Sequence, residues 1–478
     1  VNSRVAVVGA GISGLTAAYE LHSAGIETVL LEAGVRAGGK IDSSQVGGFK
    51  IDSGPDCFVA RDRAAADLCR RLGLGGDLVT PTAQSAYVWF NGDLRPLPQR
   101  SLLGVPWTAQ GLKESGLVSV AGAEALERGL AADVEALSAD ASVGEVLRPR
   151  VGNEVFERIV DPLLGGINAG TADEMSLEAC AAPLYEAISQ GGPLGSALQQ
   201  VADRQRRERD RDTGNAVFQS LDGGMTRLVD ALVTELGAAL KPDTAVQSLE
   251  RVSSHWRVTT TRGVVEAAGV ILACPAWESA RLLEILSPRA SQILADVEYC
   301  DVALATFVLP SEMVQRQLDG SGFLVPRTEE LMMTACSWTS AKWHHYQYDN
   351  TTVLRISAGR SDDRRWLDLS PDELLDALAS ELAATAMISA ADAASGRFEA
   401  QLAPWHSSLP QYRPGHLRRV QELEACLSTA TPGLAVTGAA LHGVGLPACI
   451  RNAQQSAAAL TRLVLSNASF RDGRAEAC

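Results

Sequence analysis

The chain has 478 residues, 46% hydrophobic and 21% charged, with 42 Lys and Arg against 57 Asp and Glu for a net charge of −15. That length asks for two or three domains, since single cores rarely exceed about 250–300 residues, and the composition is too apolar for a disordered chain. The acidic balance excludes a general nucleic-acid binder, which needs a basic surface against phosphates, and disfavours purely electrostatic attachment to anionic lipid.

In chain order, residues 4–8 form a β-branched apolar run, 9–14 a tight turn, 15–24 a helix, and 27–31 a second strand ending in Glu32. Residues 85–98 predict a hairpin turning at Asn91-Gly92. From 102 to 200 the pattern is helical, and 203–212 is a mixed-charge solvated helix end or loop. Beta character resumes after Asn215, with 256–261 and 264–273 flanking an Arg262-Gly263 turn. Further strands are expected at 303–309 and 352–356, and a helix over 370–386 capped by Ser370 with Pro371 at its first position. A last strand (434–438) and helix (450–465) close the chain, and no internal repeat is evident.

Some chemistries lack their residues. No apolar run approaches the ~20 residues of a membrane-spanning helix, and the lead Val1-Asn2-Ser3-Arg4 carries no leader pattern, so a cytoplasmic protein is expected. The nine cysteines (57, 69, 180, 274, 300, 336, 426, 449, 478) form no C-x-x-C pair, which predicts free thiols in a reducing compartment. His344 and His345 are adjacent and share no helical face, so a structural role is expected and no metal site.

Gly9-Ala10-Gly11-Ile12-Ser13-Gly14 satisfies G-x-G-x-x-G between a strand and a helix, with Glu32 eighteen positions beyond Gly14. Gly9 permits the turn, Gly11 admits a pyrophosphate and Gly14 allows close helix packing; the helix N-terminus attracts the phosphates and Glu32 the ribose. The motif alone leaves FAD and NAD open.

Glu32-Ala33-Gly34-Val35-Arg36-Ala37-Gly38-Gly39-Lys40 resembles the E-x(3)-R-x-G-G-[RK] continuation of flavin amine-oxidase-like proteins, and Gly48–Pro55 and Gly433–Ala440 resemble their later FAD elements. The blocks Gly54-Pro55-Asp56-Cys57-Phe58, Leu94–Pro98, Asp161–Ile167, Leu409–Tyr412 with Gly415-His416, and Leu441–Ile450 resemble the protoporphyrinogen/coproporphyrinogen oxidase family. Across nearly the whole chain the resemblance implies an α/β protein. It would have a Rossmann-type, glutathione-reductase-like FAD-binding domain (1–52, 215–275, 425–478), an inserted α+β substrate domain (53–98, 276–424) and a helical domain (99–214).

It further implies FAD contacts at Gly9, Gly11, Ile12, Ser13, Gly14, Glu32, Ala33, Arg36, Gly38, Gly39, Lys40, Gly54, Pro55, Asp56, Val246, Gly438, Val444, Gly445 and Leu446. Family members remove six electrons from a porphyrinogen, passing them through FAD to molecular oxygen with release of peroxide. Ala86 stands where protoporphyrinogen oxidases of the plant and animal type place an arginine, whereas Arg61 and Arg63 fit the Gram-positive coproporphyrinogen III type and its four propionates.

Ile167, Phe323 and Leu324 are the apolar candidates for the tetrapyrrole wall. Asn168, Thr171 and Arg451 depart from the family pattern, Asn168 as an altered cavity wall and Arg451 as a narrowed approach to the flavin. No catalytic dyad is expected. The expected partners are the tetrapyrrole and oxygen, with at most peripheral membrane contact and transient contact with downstream haem-pathway enzymes. Protoporphyrinogen IX oxidase, amine oxidase or desaturase, and a silent flavin-binding partner remain alternative readings.

Overall fold

The computed structural model describes residues 4–83, 85–135, 137, 139–212 and 216–475, the side chains of 209–212 and 467–475 excepted. The lead Val1-Asn2-Ser3, the onset of beta character at Asn215 and the thiol of Cys478 lie outside the described residues. Five parallel strands form the first sheet, in the order Leu240–Lys241, Thr28–Leu31, Val5–Val8, Gly269–Leu272 and Leu434–Val436. Side chains alternate across its pleat. Val5, Val7, Leu30 and Ile271 face a core with the helices Ile12–Ser23, Thr226–Leu236 and Leu446–Ala475. Ala6, Val8, Leu31 and Leu272 face a second core containing Trp256, Val258, Leu283 and Leu423. Both faces are covered, which is why these strands read as unbroken apolar runs.

Seven strands build the second sheet, in the order Glu399–Pro410, Tyr299–Pro310, Thr351–Ala358, Met333–Ser337, Gly322–Leu324, Tyr87–Phe90 and Asp93–Pro96. Its last two strands are the hairpin expected at Asn91-Gly92, whose positive φ values of 56° and 77° suit the turn. The helix Pro371–Ala384, closed by a Ser370–Glu373 capping box, lays Leu374, Leu378 and Leu382 on this sheet. A third core lies within the helical segment, around Leu126, Leu147 and Phe156. The mixed-charge run 203–212 is the end of the helix Leu194–Asp212. Among the described residues no helix is long and apolar enough to cross a membrane.

Of the differences from expectation, two concern the sheets around the cavity. Residues 264–273 are not one strand: Gly263–Ala267 completes a hairpin, then Gly269–Leu272 joins the parallel sheet. At Gly269 a Cβ would lie 3.2 Å from the Gly433 carbonyl, and this close approach lets the chain change sheets. The strand Glu399–Pro410 escaped prediction because Pro404 and Pro410 argue against a strand; it lies at the sheet edge, where proline is tolerated.

Candidate functional site

One cavity of about 960 Å³ opens where the parallel strands end and meet the second sheet. Ligands bind open α/β sheets at this carboxyl end. Gly9, Gly11, Ile12 and Ser13, Glu32 and Ala33, Gly38, Gly39 and Lys40, with Val246 and Gly438, line one part. Gly54, Pro55 and Asp56, and Val444, Gly445 and Leu446 at the start of the last helix, also line the cavity.

Local geometry explains the glycines. Gly9 has φ +98°, and a Cβ on Gly14 would lie 1.7 Å from the Gly9 carbonyl oxygen, so any side chain at Gly14 would force the turn open. A Cβ on Gly11 would meet nothing within 4 Å, and this helix start has no side-chain cap. Its first amides therefore remain available to an anion. Glu32 Oε2 accepts from the Ala10 amide (2.6 Å) and Oε1 from the Gly34 amide (2.8 Å), leaving lone pairs for ribose hydroxyls. Thr437 Oγ1 is a buried hydroxyl without a partner, and Thr437 borders the cavity beside Gly438. This donor set fits FAD.

Gly14 and Arg36 do not line the cavity. Arg36 donates to the Gly39 carbonyl (2.9 Å) and pairs with Asp42 (3.0 Å), propping the loop that carries Gly38 and Gly39. The Gly438–Leu446 stretch has a similar prop. Tyr412 donates to the Ala439 carbonyl and accepts from the Gly443 amide (3.0 Å), and it stacks on His416, with ring centroids 3.9 Å apart. His416 Nε2 lies 2.8 Å from the Leu441 carbonyl, and burial pushes the imidazole pKa down to about 4, so it is neutral near pH 7.

The second-sheet wall holds charges that sequence reasoning missed. Asp56 accepts from Trp343 Nε1 (3.0 Å) and pairs with Lys342 and Arg355, each at 3.4 Å, while Arg355 Nη2 donates to the Gly54 carbonyl (2.5 Å). Burial alone would raise the Asp56 pKa; Lys342 and Arg355 outweigh it and hold the carboxyl below its ordinary range. Cys57 beside it is pushed up to about 12 by burial and by Asp56, so its thiol stays protonated. Arg355 left a visible trace, a lone arginine within the apolar strand Thr351–Ala358. Lys342 left none. Arg281 was also missed: it donates to the Gln247 and Val246 carbonyls and lines the cavity beside Val246.

Behind this wall Asp52 is buried, accepting from the Met225 amide (3.1 Å) and the Tyr346 hydroxyl (3.0 Å). Burial outweighs these donors and raises its pKa to about 6. Because that exceeds the unfolded value of about 3.9, its contribution is full below pH about 4 and is lost as pH rises through about 6. Asp52→Asn should therefore match wild type below about pH 4 and become more stable by up to about 3 kcal/mol at neutral pH. Denaturant unfolding across a pH series checks this; a pH-independent difference contradicts it.

The seven substrate candidates sit off the cavity wall. Phe323 is buried in the core between Trp89 and Trp338, because its face of the strand points away from the cavity. Asn168 is buried at its helix end, donating to the Leu164 carbonyl (3.0 Å) and accepting from Gln411 (2.9 Å). Ile167 is 49% exposed. Leu324 stands behind Gly166, 3.4 Å from where a Cβ would be. Arg61 and Arg63 are exposed, Arg63 lying 3.7 Å from Asp67, and Arg451 pairs with Asp62. Small residues make the wall instead: Gly165, Gly166 and Ala169 on one side, Thr334, Ala335 and Ser357 on the other. Asp161 pairs with Arg327 (2.8 Å), tying the helix that bears Gly165 to the second sheet's loops.

Comparison with known proteins agrees with this architecture. Residues 12–461 match the model of the flavin containing amine oxidoreductases. The chain is similar to coproporphyrinogen III oxidase of Bacillus subtilis (strain 168), 32% identical over 93% of this chain and 95% of that one. It is also similar to the chloroplastic protoporphyrinogen oxidase of Nicotiana tabacum, 26% identical over 95% of this chain and 85% of the other. The crystal structure of a protein from Exiguobacterium sp. 255-15, assigned as a protoporphyrinogen oxidase, superposes with TM-score 0.83 and 28% identity, covering 96% of this chain and 98% of that one.

Proposed function

This chain belongs to the flavin containing amine oxidoreductase family and groups there with the coproporphyrinogen III oxidases, and from that premise we propose that it oxidises coproporphyrinogen III to coproporphyrin III. It is an FAD-dependent oxidoreductase. The observation that carries the reading is one continuous cavity, lined both by the Gly9–Glu32 cradle and by the small residues Gly165 and Gly166. FAD, when bound, supplies the acceptor for hydride from a porphyrinogen bridge carbon and passes the electrons to oxygen.

The chain's own residues position and exclude. Amides of Ile12 and Ser13 hold the pyrophosphate, and Glu32 holds the ribose. Gly165 and Gly166 carry no side chain into the cavity and so leave room for a macrocycle, with Leu324 behind Gly166. Lys342 and Arg355 set two cations in that wall beside Asp56, and these are its donors for an anionic group such as a propionate. Arg61 and Arg63, exposed on the loop that follows the wall residues Phe58 and Val59, serve the remaining propionates. Neither Asp56 nor Cys57 is suited to act as a base: Asp56 is held between two cations and the Cys57 thiol keeps its proton. We place the enzyme in the cytoplasm, with transient contact to the enzyme that consumes its product.

Ala86 supports coproporphyrinogen III over protoporphyrinogen IX, having no cation to offer there. Turnover of both porphyrinogens and a primary amine, measured side by side, tests the reading. The largest kcat/KM is expected for coproporphyrinogen III, and turnover of the amine alone overturns it.

A further inference from the structure

We infer that Asp222, His344 and His345 form a binding site for one divalent transition-metal ion, outside the cavity. The sequence separates Asp222 from the histidine pair by more than a hundred residues; the fold brings one ligand atom from each within 4.8 Å of the others. Bonds of about 2.0–2.2 Å to a shared ion require closer spacing, which side-chain rotation supplies. The two histidines open the 3₁₀ turn His344–Tyr346, and their rings reach from adjacent positions toward Asp222.

Both ring nitrogens of His345 are buried without a hydrogen-bond partner. Imidazole presents a donor and an acceptor, and leaving both unmet is costly, so this ring asks for a ligand. The backbone on either side is held in place. Trp343 donates to Asp56 (3.0 Å) and Tyr346 to Asp52 (3.0 Å), which pins the histidine turn from both ends. The Asp222 amide donates to the Asp77 carbonyl (2.8 Å), and Arg227 donates to the Asp222 carbonyl (2.6 Å). Such pinning limits the ordering cost of binding.

Two imidazoles and one carboxylate suit Zn²⁺, Co²⁺, Ni²⁺ or Fe²⁺ and not Mg²⁺ or Ca²⁺, which prefer all-oxygen sites. His344 is exposed, so the ion has an entry path and water for its open positions.

Calorimetric titration of chelator-treated holoprotein with Zn²⁺ tests the site. One equivalent should bind with micromolar or tighter Kd. His344→Gln and Asp222→Asn should each weaken it by about 100-fold, with flavin content and circular dichroism unchanged, while His22→Gln, at another exposed histidine, should leave it intact. Absence of one-to-one binding, or equal affinity in the His344 and Asp222 variants and wild type, overturns the proposal. Because His344 is exposed, its variant tests the site even where the other substitution impairs folding.

Discussion

Asp56→Asn should destabilise the holoprotein by about 3–5 kcal/mol, the largest effect expected of any single polar substitution at the cavity. The side chains of Asp56, Lys342 and Arg355 are only 14%, 13% and 7% exposed. Neutralising Asp56 leaves Lys342 and Arg355 facing each other with little water to screen them and Asp52, behind the wall, as a counter-charge. Asparagine still accepts from Trp343, so the loss isolates charge from hydrogen bonding. Denaturant unfolding measures it. Adding Lys342→Met to Asp56→Asn should restore part of the stability, as expected for partners that act together. An Asp56→Asn protein within about 0.5 kcal/mol of wild type would show that the ions do not depend on one another.

Glu32→Ala should weaken FAD binding by roughly 10²-fold or more. The carboxylate anchors the Ala10 and Gly34 amides and faces the cavity, and hydrogen bonds to a charged group contribute about 1.5–3 kcal/mol each. Glu32→Gln keeps one acceptor and should fall between the two. Flavin fluorescence during titration of the apoprotein gives the affinities; unchanged affinity in Glu32→Ala would remove the ribose role from Glu32.

The nucleotide cradle was legible because its parts are contiguous. A turn, a helix start and an acid at the next strand end obey local rules, and Gly9, Gly11, Ser13 and Glu32 all line the cavity. Gly14 and Arg36 belong to the same motif, yet they build the cradle from behind. The charged wall was illegible for the opposite reason: Lys342 and Trp343 reach Asp56 across 286 and 287 residues of chain. Local pattern marks Phe323 as a strand residue but does not tell which face meets the cavity. The exposed arginines near the mouth have acidic neighbours, Asp62 and Asp67, that a reading of the basic residues alone passes over. The histidine pair carried no metal spacing of its own, because the third residue beside it, Asp222, lies more than a hundred residues away in the chain.

The bulk charge of −15 also takes on a sharper form. An acidic protein acting on a polyanion must concentrate its cations, and the cavity does so at Lys40, Arg281, Lys342 and Arg355.

The most direct measurement mixes the purified holoprotein with coproporphyrinogen III, first without oxygen and then with it. Flavin absorbance should be lost in the anaerobic step. On admission of oxygen, coproporphyrin fluorescence should appear, with peroxide in a threefold molar ratio to porphyrin, two electrons to each oxygen. Flavin absorbance that persists under saturating coproporphyrinogen III, with no porphyrin formed beyond the protein-free control, would contradict the proposed activity.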